Sequence, residues 1–455
     1  MITEDLDTAI TGWPDRLREG DLAAVGREAA DMALPDLVWV LERLRVRDRA
    51  IVFRLLPKGL AHEVFERFDE GLRAELFTSL RDDQVVMLFG DLDPDDRVHL
   101  MDELPASVAK KLLQGLSKHE RELTAPILGY ERGSIGRRMS TEYVRVLDSQ
   151  TVLEALTQVR HRGRDAETIY TVPVTDSAKA LVGVVSLRDL MLADTGKPVG
   201  QIMNEAISVY ASEDAEDAAR RCLDSQVLAL PVVDKEERLV GILTVDDAVR
   251  IIRQAEEEDA ARAGAVEPLG RPYLSTPVRS LVRSRVVWLL LLAVSAVATV
   301  GVLDHFEDDL ATVVTLAVFI PLIIGTGGNT GSQAAVTITR AVALGDVRPR
   351  DVGIVLLREI RTGAALGALL GALALAAIST VAFFFDGYTA ELGVVVAASM
   401  LAICTLAASV GGVIPLFAKA VKIDPAVMST PFIATFVDAT GLIIYFLIAK
   451  VVLGI

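Results

Sequence analysis

The sequence predicts a multidomain membrane protein: an all-α superhelical N-terminal domain, then a duplicated α/β domain, then a transmembrane domain of five helices. Three observations predict it. Apolar residues make up 51% of the 455, but they crowd behind Arg285. Two internal repeats of different character fill the chain before that point. The net charge of -16 also lies wholly in the first part, because basic and acidic residues balance from Thr276 onward. Such an acidic surface repels nucleic acid and attracts multivalent cations, although solvation alone also accounts for it.

Residues 1–130 read as helical and repetitive. The runs beginning RAIVF at Arg49, RAELF at Arg73 and RVHLM at Arg97 place Leu56, Leu80 and Leu104 in register. Helical repeats of this kind stack so that neighbours bury each other's apolar faces. The reading is a scaffold, with no catalytic fold in it.

Residues 135–253 form the second repeat, in two copies over about 135–196 and 199–253, with strand-like apolar runs alternating with amphipathic helices. VPVTDSAKALVGVVSLRDL from Val172 matches LPVVDKEERLVGILTVDDA from Leu230, setting Pro173 over Pro231, Gly183 over Gly241 and Asp189 over Asp247. These runs resemble a tandem pair of CBS motifs. That resemblance implies a module that dimerises and often holds an adenine nucleotide, here ATP. Candidate contacts are Tyr170, Arg188 and Asp189, with Asp247 as the second ribose acceptor and Ser186 or Thr244 near the phosphates. The competing reading makes these residues helix caps or surface. Residues 254–277 follow as a linker helix, AEEEDAARAG, running into a Gly- and Pro-containing stretch.

The membrane domain, 278–455, contains five runs long enough for a hydrocarbon core of about 30 Å. They are Val286 to Leu303, Leu310 to Ile338, Ala364 to Phe385, Leu392 to Phe417 and Pro425 to Ile455. Met1 to Gly20 lacks the apolar core of a cleavable signal, so the first half is expected in the cytoplasm. Arg279, Arg283, Arg285, Arg340, Arg348, Arg350, Arg358, Arg361, Lys419 and Lys422 flank the loops expected inside. An odd number of spans then puts the C-terminus outside, with Lys450 the one residue against it. Cys222 and Cys404 are too few and too far apart for a disulfide framework or a zinc site.

Ionisable groups inside a bilayer are costly and mark function. Glu359 and Asp424 fall near an interface, but Asp438 falls near mid-helix, about 13 residues from Pro425. The polar run PLIIGTGGNTGSQ from Pro321 puts Gly325, Gly328, Asn329, Ser332 and Gln333 at membrane depth, where freed backbone groups must meet protein or water. Small residues also serve close packing, so the glycines alone are weak evidence. Transition-metal selection would call for His, Cys or Met near the path, and the only His near the spans, His305, lies in an outer loop. The oxygen donors therefore fit a hard cation and leave Mg2+, Ca2+ and Mn2+ open. No HExxH helix of a metalloprotease is present, and no enzyme activity is expected.

Helical repeats, tandem CBS motifs, an acidic linker helix, and five spans carrying GTGGNTGSQ and DPAVMSTPFIATFVDATGL together resemble the MgtE family of bacterial magnesium channels. The resemblance implies a homodimer in the bacterial cell membrane, with one pore formed by the second and fifth spans of both subunits. Asp438 would hold a largely hydrated Mg2+ there, with Ala434 beside it in the lining. Cytoplasmic Mg2+ would close the pore by binding acidic faces between domains. Candidate sensors are Asp91, Asp95, Glu216, Asp246, Asp247, Glu256, Glu257, Glu258, Asp259 and Asp424. A cation-coupled carrier for Mg2+ or another divalent cation is the alternative.

Overall fold

The computed structural model of the chain describes residues 2–79, 89–90, 92–104, 106–385, 388–421 and 430–455. Asp91, Asp424, Leu80, Lys422 and Pro425, all used above, lie outside them. Two compact units emerge: Met1–Glu256 with Leu269–Pro277, and Glu257–Pro268 with Val278–Ile455.

The first unit opens with the helix Ile2–Glu19 and continues as ten-residue helices joined by two-residue corners, among them Leu34–Arg43, Val46–Leu55, Lys58–Arg67 and Glu70–Ser79. The structural step is therefore half the repeat that the sequence displays. Phe53, Phe65, Phe77 and Phe89 recur once per step and pack edge-on or tilted in a buried ladder, with ring centroids 6.4, 5.2 and 6.4 Å apart. The longer period belongs to the arginines. Arg49, Arg73 and Arg97 are buried, and their Nε atoms donate to Leu41 O (2.8 Å), Phe68 O (2.7 Å) and Phe89 O (3.1 Å). The last carbonyls of a helix lack intrahelical donors, so each buried guanidinium completes the end of a preceding turn. Arg49 also reaches Glu42 O, Leu44 O and the Glu75 carboxylate.

Six strands follow: β1 (Val146–Leu147), β2 (Thr171–Thr175), β3 (Leu181–Ser186), β4 (Val209–Tyr210), β5 (Ala229–Val233) and β6 (Leu239–Thr244). They make two sheets of order β1-β2-β3 and β4-β5-β6, parallel in the first pair and antiparallel in the second. The copies match in detail: Val174 pairs with Gly183, Val232 with Gly241, and both sheets shift register one residue later. The openings of the copies are exchanged in space. Ser140 bridges Ile242 of the second sheet, and Asn204 bridges Val184 of the first. Ile135 and Met139 enter the core of the second half, while Val199 and Met203 join that of the first. Glycine is required at both crossings, since a Cβ on Gly183 would lie 2.7 Å from Asn204 O, and one on Gly241 2.5 Å from Met139 Sδ.

The helix expected from Gln254 does not begin there. Val245–Ala263 is one continuous helix of 19 residues, because nothing between Asp247 and Arg262 breaks it. Beyond Gly264, Pro268, Gly270, Pro272 and Pro277 leave only a short 3-10 turn at Tyr273–Ser275.

The second unit holds the helices Val278–His305, Thr315–Ala343, Val352–Phe384, Ala390–Ala420 and Thr430–Leu453, called here the first to fifth spans. Among the described residues, four helices are long and apolar enough to cross a membrane. The second span, 29 residues long, stands apart because the polar run lies inside it. It starts at Thr315 rather than Leu310, after a separate short helix Glu307–Thr312. The third starts at Val352 rather than Ala364, its charged first turns extending beyond the apolar run. The third and fourth spans approach closely: a Cβ on Gly363, Gly367 or Gly371 would lie 2.5 Å from Cys404 O, 2.6 Å from Leu401 Cα or 2.7 Å from Ala397 O. Such spacing of small residues is how membrane helices maximise packing where no hydrophobic effect drives them together. Both cysteines are free and buried.

Candidate functional site

In the membrane unit the polar run divides between two faces of the second span. Gly327 and Gly331 face inward, where added Cβ atoms would lie 2.6 Å from Ile403 Cγ2 and 3.1 Å from Ile433 Cγ2. Thr330 is buried with them and donates to Thr326 O at 2.8 Å. Gly325, Asn329 and Gln333 are exposed and Ser332 half-buried, so they form a strip along the opposite side. Gly328 sits at the seam with the fifth span. A Cβ there would lie 3.4 Å from Ala434 Cβ and 3.6 Å from Asp438 Oδ1.

Asp438 stands about 12 Å along its helix from Thr430, at a rise of 1.5 Å per residue, and is half-buried. No basic group among the described residues acts on it. Tyr445, fully buried, fixes the register of the two spans by donating to Leu316 O at 3.0 Å. Lys450 forms an ion pair with Asp309 at 3.1 Å, which neutralises locally the one charge that ran against the expected topology.

In the first unit, acidic side chains of the helical domain meet those of the second CBS half. Asp95, Asp96, His99, Arg138, Asp247, Arg250 and Ile251 line one small cavity. Asp95 and Asp247, both expected as sensors, are thus brought together. Beside them, single carboxylate oxygens of Glu66, Asp93 and Asp96 lie within 4.8 Å of one another. Asp247 accepts from Thr244 Oγ1 at 2.8 Å and from Arg250. Asp95 is 7% exposed, and its Oδ1 has no hydrogen-bond partner among the described residues. An orphan carboxylate oxygen among several other carboxylates fits a hard cation.

Crowding of like charge out of water raises carboxylate pKa values. Burial, then Asp247 and Asp96, push Asp95 well up. Burial, then Asp93 and Asp247, push Glu167 up to about 8. Burial raises Asp247 to about 6 against the opposing pull of Arg250.

The remaining expected sensors lie elsewhere. Glu216 forms an ion pair with Arg220 on its own helix at 2.5 Å. Asp246, Glu256 and Glu257 are exposed, Asp259 is half-buried, and Glu258 holds Arg262 at 3.2 Å. Sequence reasoning missed Glu66, Asp93, Asp96, Glu167 and Arg250. Only Asp93 and Asp96 carried a signal, since they share DLDPDD with the two acids that were chosen.

In the first CBS half, Leu187 N donates to Tyr170 O at 3.0 Å, which sets exposed Tyr170 and Arg188 beside half-buried Asp189. Ser186 caps the helix Leu187–Leu192 and donates to Asp189 Oδ2 at 2.7 Å. Capping thus describes Ser186, while Tyr170 and Arg188 stay exposed beside it.

Comparison with known proteins matches residues 32–133 to the MgtE intracellular N domain, 133–196 and 199–254 to CBS domains, and 320–448 to the family described as divalent cation transporter. The magnesium transporter MgtE of Thermus thermophilus is 35% identical over 446 residues, 96% of this chain and 97% of its own. That of Bacillus subtilis is 30% identical over 440 residues, 91% and 96% of the two chains. Among solved structures, the cytosolic domain of the Mg2+ channel MgtE in complex with ATP covers 53% of this chain and 99% of that one, at 33% identity and a TM-score of 0.50. With relatives aligned along nearly its whole length and the three signatures in one order, the chain belongs to the MgtE family of divalent cation transporters.

Proposed function

We propose that the protein is a Mg2+-selective channel that imports magnesium down its electrochemical gradient and is closed by cytoplasmic Mg2+. The observation that carries this reading is the face on which Gly328 and Ala434 adjoin Asp438, bordered by exposed Asn329 and Gln333. A carboxylate turned toward acyl chains at this depth is unfavourable by at least about 2.5 kcal/mol, so the face meets water or a second copy. In a two-fold dimer, two such faces enclose one path lined by Gly325, Gly328, Asn329, Ser332, Gln333 and Ala434. Two Asp438 carboxylates then hold a cation through its own water shell, which suits Mg2+ because it dehydrates reluctantly. The N-terminus lies in the cytoplasm and the C-terminus outside.

Closure follows from linkage. Asp95 and Asp247, which line one cavity, repel one another until Mg2+ screens them; Asp91, Glu216, Asp246, Glu256, Glu257, Glu258, Asp259 and Asp424 are further candidate sensors. The ion therefore favours whichever state gathers these carboxylates, and that is the closed one. The first CBS half takes ATP through Tyr170, Arg188 and Asp189, as supported by the ATP complex of the relative.

Uptake of Mg2+ into liposomes tests the conduction reading. Wild type is expected to load the vesicles, and Asp438→Ala to fall to the rate of empty lipid. Undiminished uptake by the variant would overturn it. Single-channel currents separate the channel from a cation-coupled carrier, which would show saturable flux without unitary steps.

A further inference from the structure

The carboxylates that meet between the helical domain and the second CBS half already hold a cation, and it is part of the chain. Arg250 donates through Nη2 to Asp247 Oδ1, and its Nη1 stands 3.6 Å from Asp96 Oδ1. The two acids come from different domains, so this side chain bridges them. Arg73 also approaches Asp96, at 3.5 Å, but from within the helical domain. A second bridge, Arg137 to Asp102 at 2.7 Å, lies close to the point where the chain passes from one domain to the next. It therefore keeps the domains adjacent without fixing the acidic end of the junction. The cavity that Arg250 lines is only about 10 Å3, room for about one water, so a cation with a full hydration shell does not fit beside the guanidinium.

We propose that Arg250 is a tethered counter-cation, which closes the junction when divalent cation is scarce and competes with that cation for Asp96 and Asp247. The proposal rests on the reading that this junction senses Mg2+. A guanidinium spreads one charge over a planar fork and loses little hydration on pairing. It holds two carboxylates at once, but it leaves Asp95 Oδ1 without a partner among the described residues and the cluster with acids in excess. A divalent ion offers twice the charge at a smaller radius, and to enter it must displace Arg250 from at least one carboxylate. The tether therefore raises the concentration at which the junction responds. Helix geometry makes it effective: Arg250 and Asp247 are three residues apart on one helix, where side chains are neighbours.

Hydrogen exchange of the helix Pro94–Glu103 in the full-length protein, read along a Mg2+ titration, tests this together with Mg2+ inhibition of liposome uptake. Arg250→Ala is expected to speed exchange about tenfold without Mg2+. Mg2+ should restore protection at a midpoint several-fold below that of wild type. Arg250→Lys, which keeps the charge but loses the fork, should lie between Arg250→Ala and wild type in midpoint, and Arg250→Ala with Asp96→Asn should recover part of the cation-free protection. Unchanged exchange and midpoint in Arg250→Ala would overturn the proposal, as would fast exchange that saturating Mg2+ does not slow. If neither wild type nor variant responds to Mg2+ in either assay, the sensor reading fails instead. Faster cation-free exchange in Arg250→Ala would then still support the tether, and unchanged exchange would remove it as well.

Discussion

Gly328 of the second span faces Asp438 of the fifth, with 3.6 Å between the place of its absent Cβ and the carboxylate Oδ1. That gap is ordinary van der Waals contact for one methyl and too small for a branched chain. Gly328 is itself buried at this seam, so Gly328→Ala is expected to keep Mg2+ uptake within about threefold of wild type with stability little changed, and Gly328→Leu to lower uptake more than about tenfold while costing about 1–3 kcal/mol of stability. Flux and melting temperature, measured on the same preparations, check both halves. A conducting Gly328→Leu would show that this face lines no path.

One residue earlier the outcome reverses. A Cβ on Gly327 would lie 2.6 Å from Ile403 Cγ2 and 3.0 Å from Val437 Cγ1, inside the contact between three spans. Gly327→Ala should destabilise the membrane unit by about 1–3 kcal/mol. It should reduce flux in proportion to the protein that remains folded. Unfolding in detergent, compared with Gly328→Ala, reads the difference.

The same contrast shows why the sequence was legible where it was. Apolar runs reveal spans directly, and Asp438 stands out because no other charged residue lies near it in its run. The division of GTGGNTGSQ into an inward face of Gly327, Thr330 and Gly331 and an outer strip of Asn329 and Gln333 depends on helical phase against two partners, which no run of letters records. In the helical domain, Arg49, Arg73 and Arg97 displayed a repeat because a buried guanidinium is chemically conspicuous. The Phe53 to Phe89 ladder, which marks the shorter step, was diluted among other apolar residues. Asp95 and Asp247 were each named as candidate sensors through family resemblance, which did not say that the two meet. Glu66, Glu167 and Arg250 were not, because contact between domains leaves no local spacing.

Removing Arg49 tests the capping role. Its guanidinium serves the carbonyls of Leu41, Glu42 and Leu44 and pairs with Glu75 at 2.8 Å. Arg49→Ala leaves buried acceptors unpaired, and loss of one partner from a buried pair typically destabilises by about 3–5 kcal/mol. Arg47→Ala, in the same helix and with no such bonds, should change stability by less than about 0.5 kcal/mol. Denaturant unfolding of the two variants separates them.

The acidic junction should depend on pH with a definite sign. Glu167 stands at about 8 and Asp247 at about 6, both above their ordinary carboxylate values. The folded state therefore binds protons that the unfolded state has released. The stabilisation this gives is complete below about pH 4 and is lost as pH rises through about 6 and then about 8. Without Mg2+, the melting temperature of the first unit is expected to fall across that interval. Mg2+ competes with those protons, so its apparent affinity should rise over the same range. Glu167→Gln mimics the protonated acid and should flatten the upper limb; a profile already flat in wild type would remove the argument.

The two CBS halves place different chemistry at equivalent positions, and nucleotide binding should follow that difference. Leu187 N meets Tyr170 O in the first half, and Val245 N meets Leu228 O in the second, both at 3.0 Å. The residues that follow are Arg188 and Asp189 in one half, Asp246 and Asp247 in the other. An aromatic ring, a cation and a ribose acceptor suit a nucleotide, whereas an aliphatic side chain and two acids repel its phosphates. Asp247 is in addition engaged by Thr244 and Arg250, while the side chain of Asp189 accepts, among the described residues, from the half-buried Ser186 hydroxyl alone. Arg188→Ala should therefore weaken ATP binding about tenfold or more, the loss of one charge-assisted contact. Asp247→Asn should leave it within about twofold, by the same reasoning. Calorimetric titration of ATP into the full-length protein gives both numbers. Equal loss in the two variants would mean that the second half binds nucleotide as well, and that its acids are not reserved for a cation.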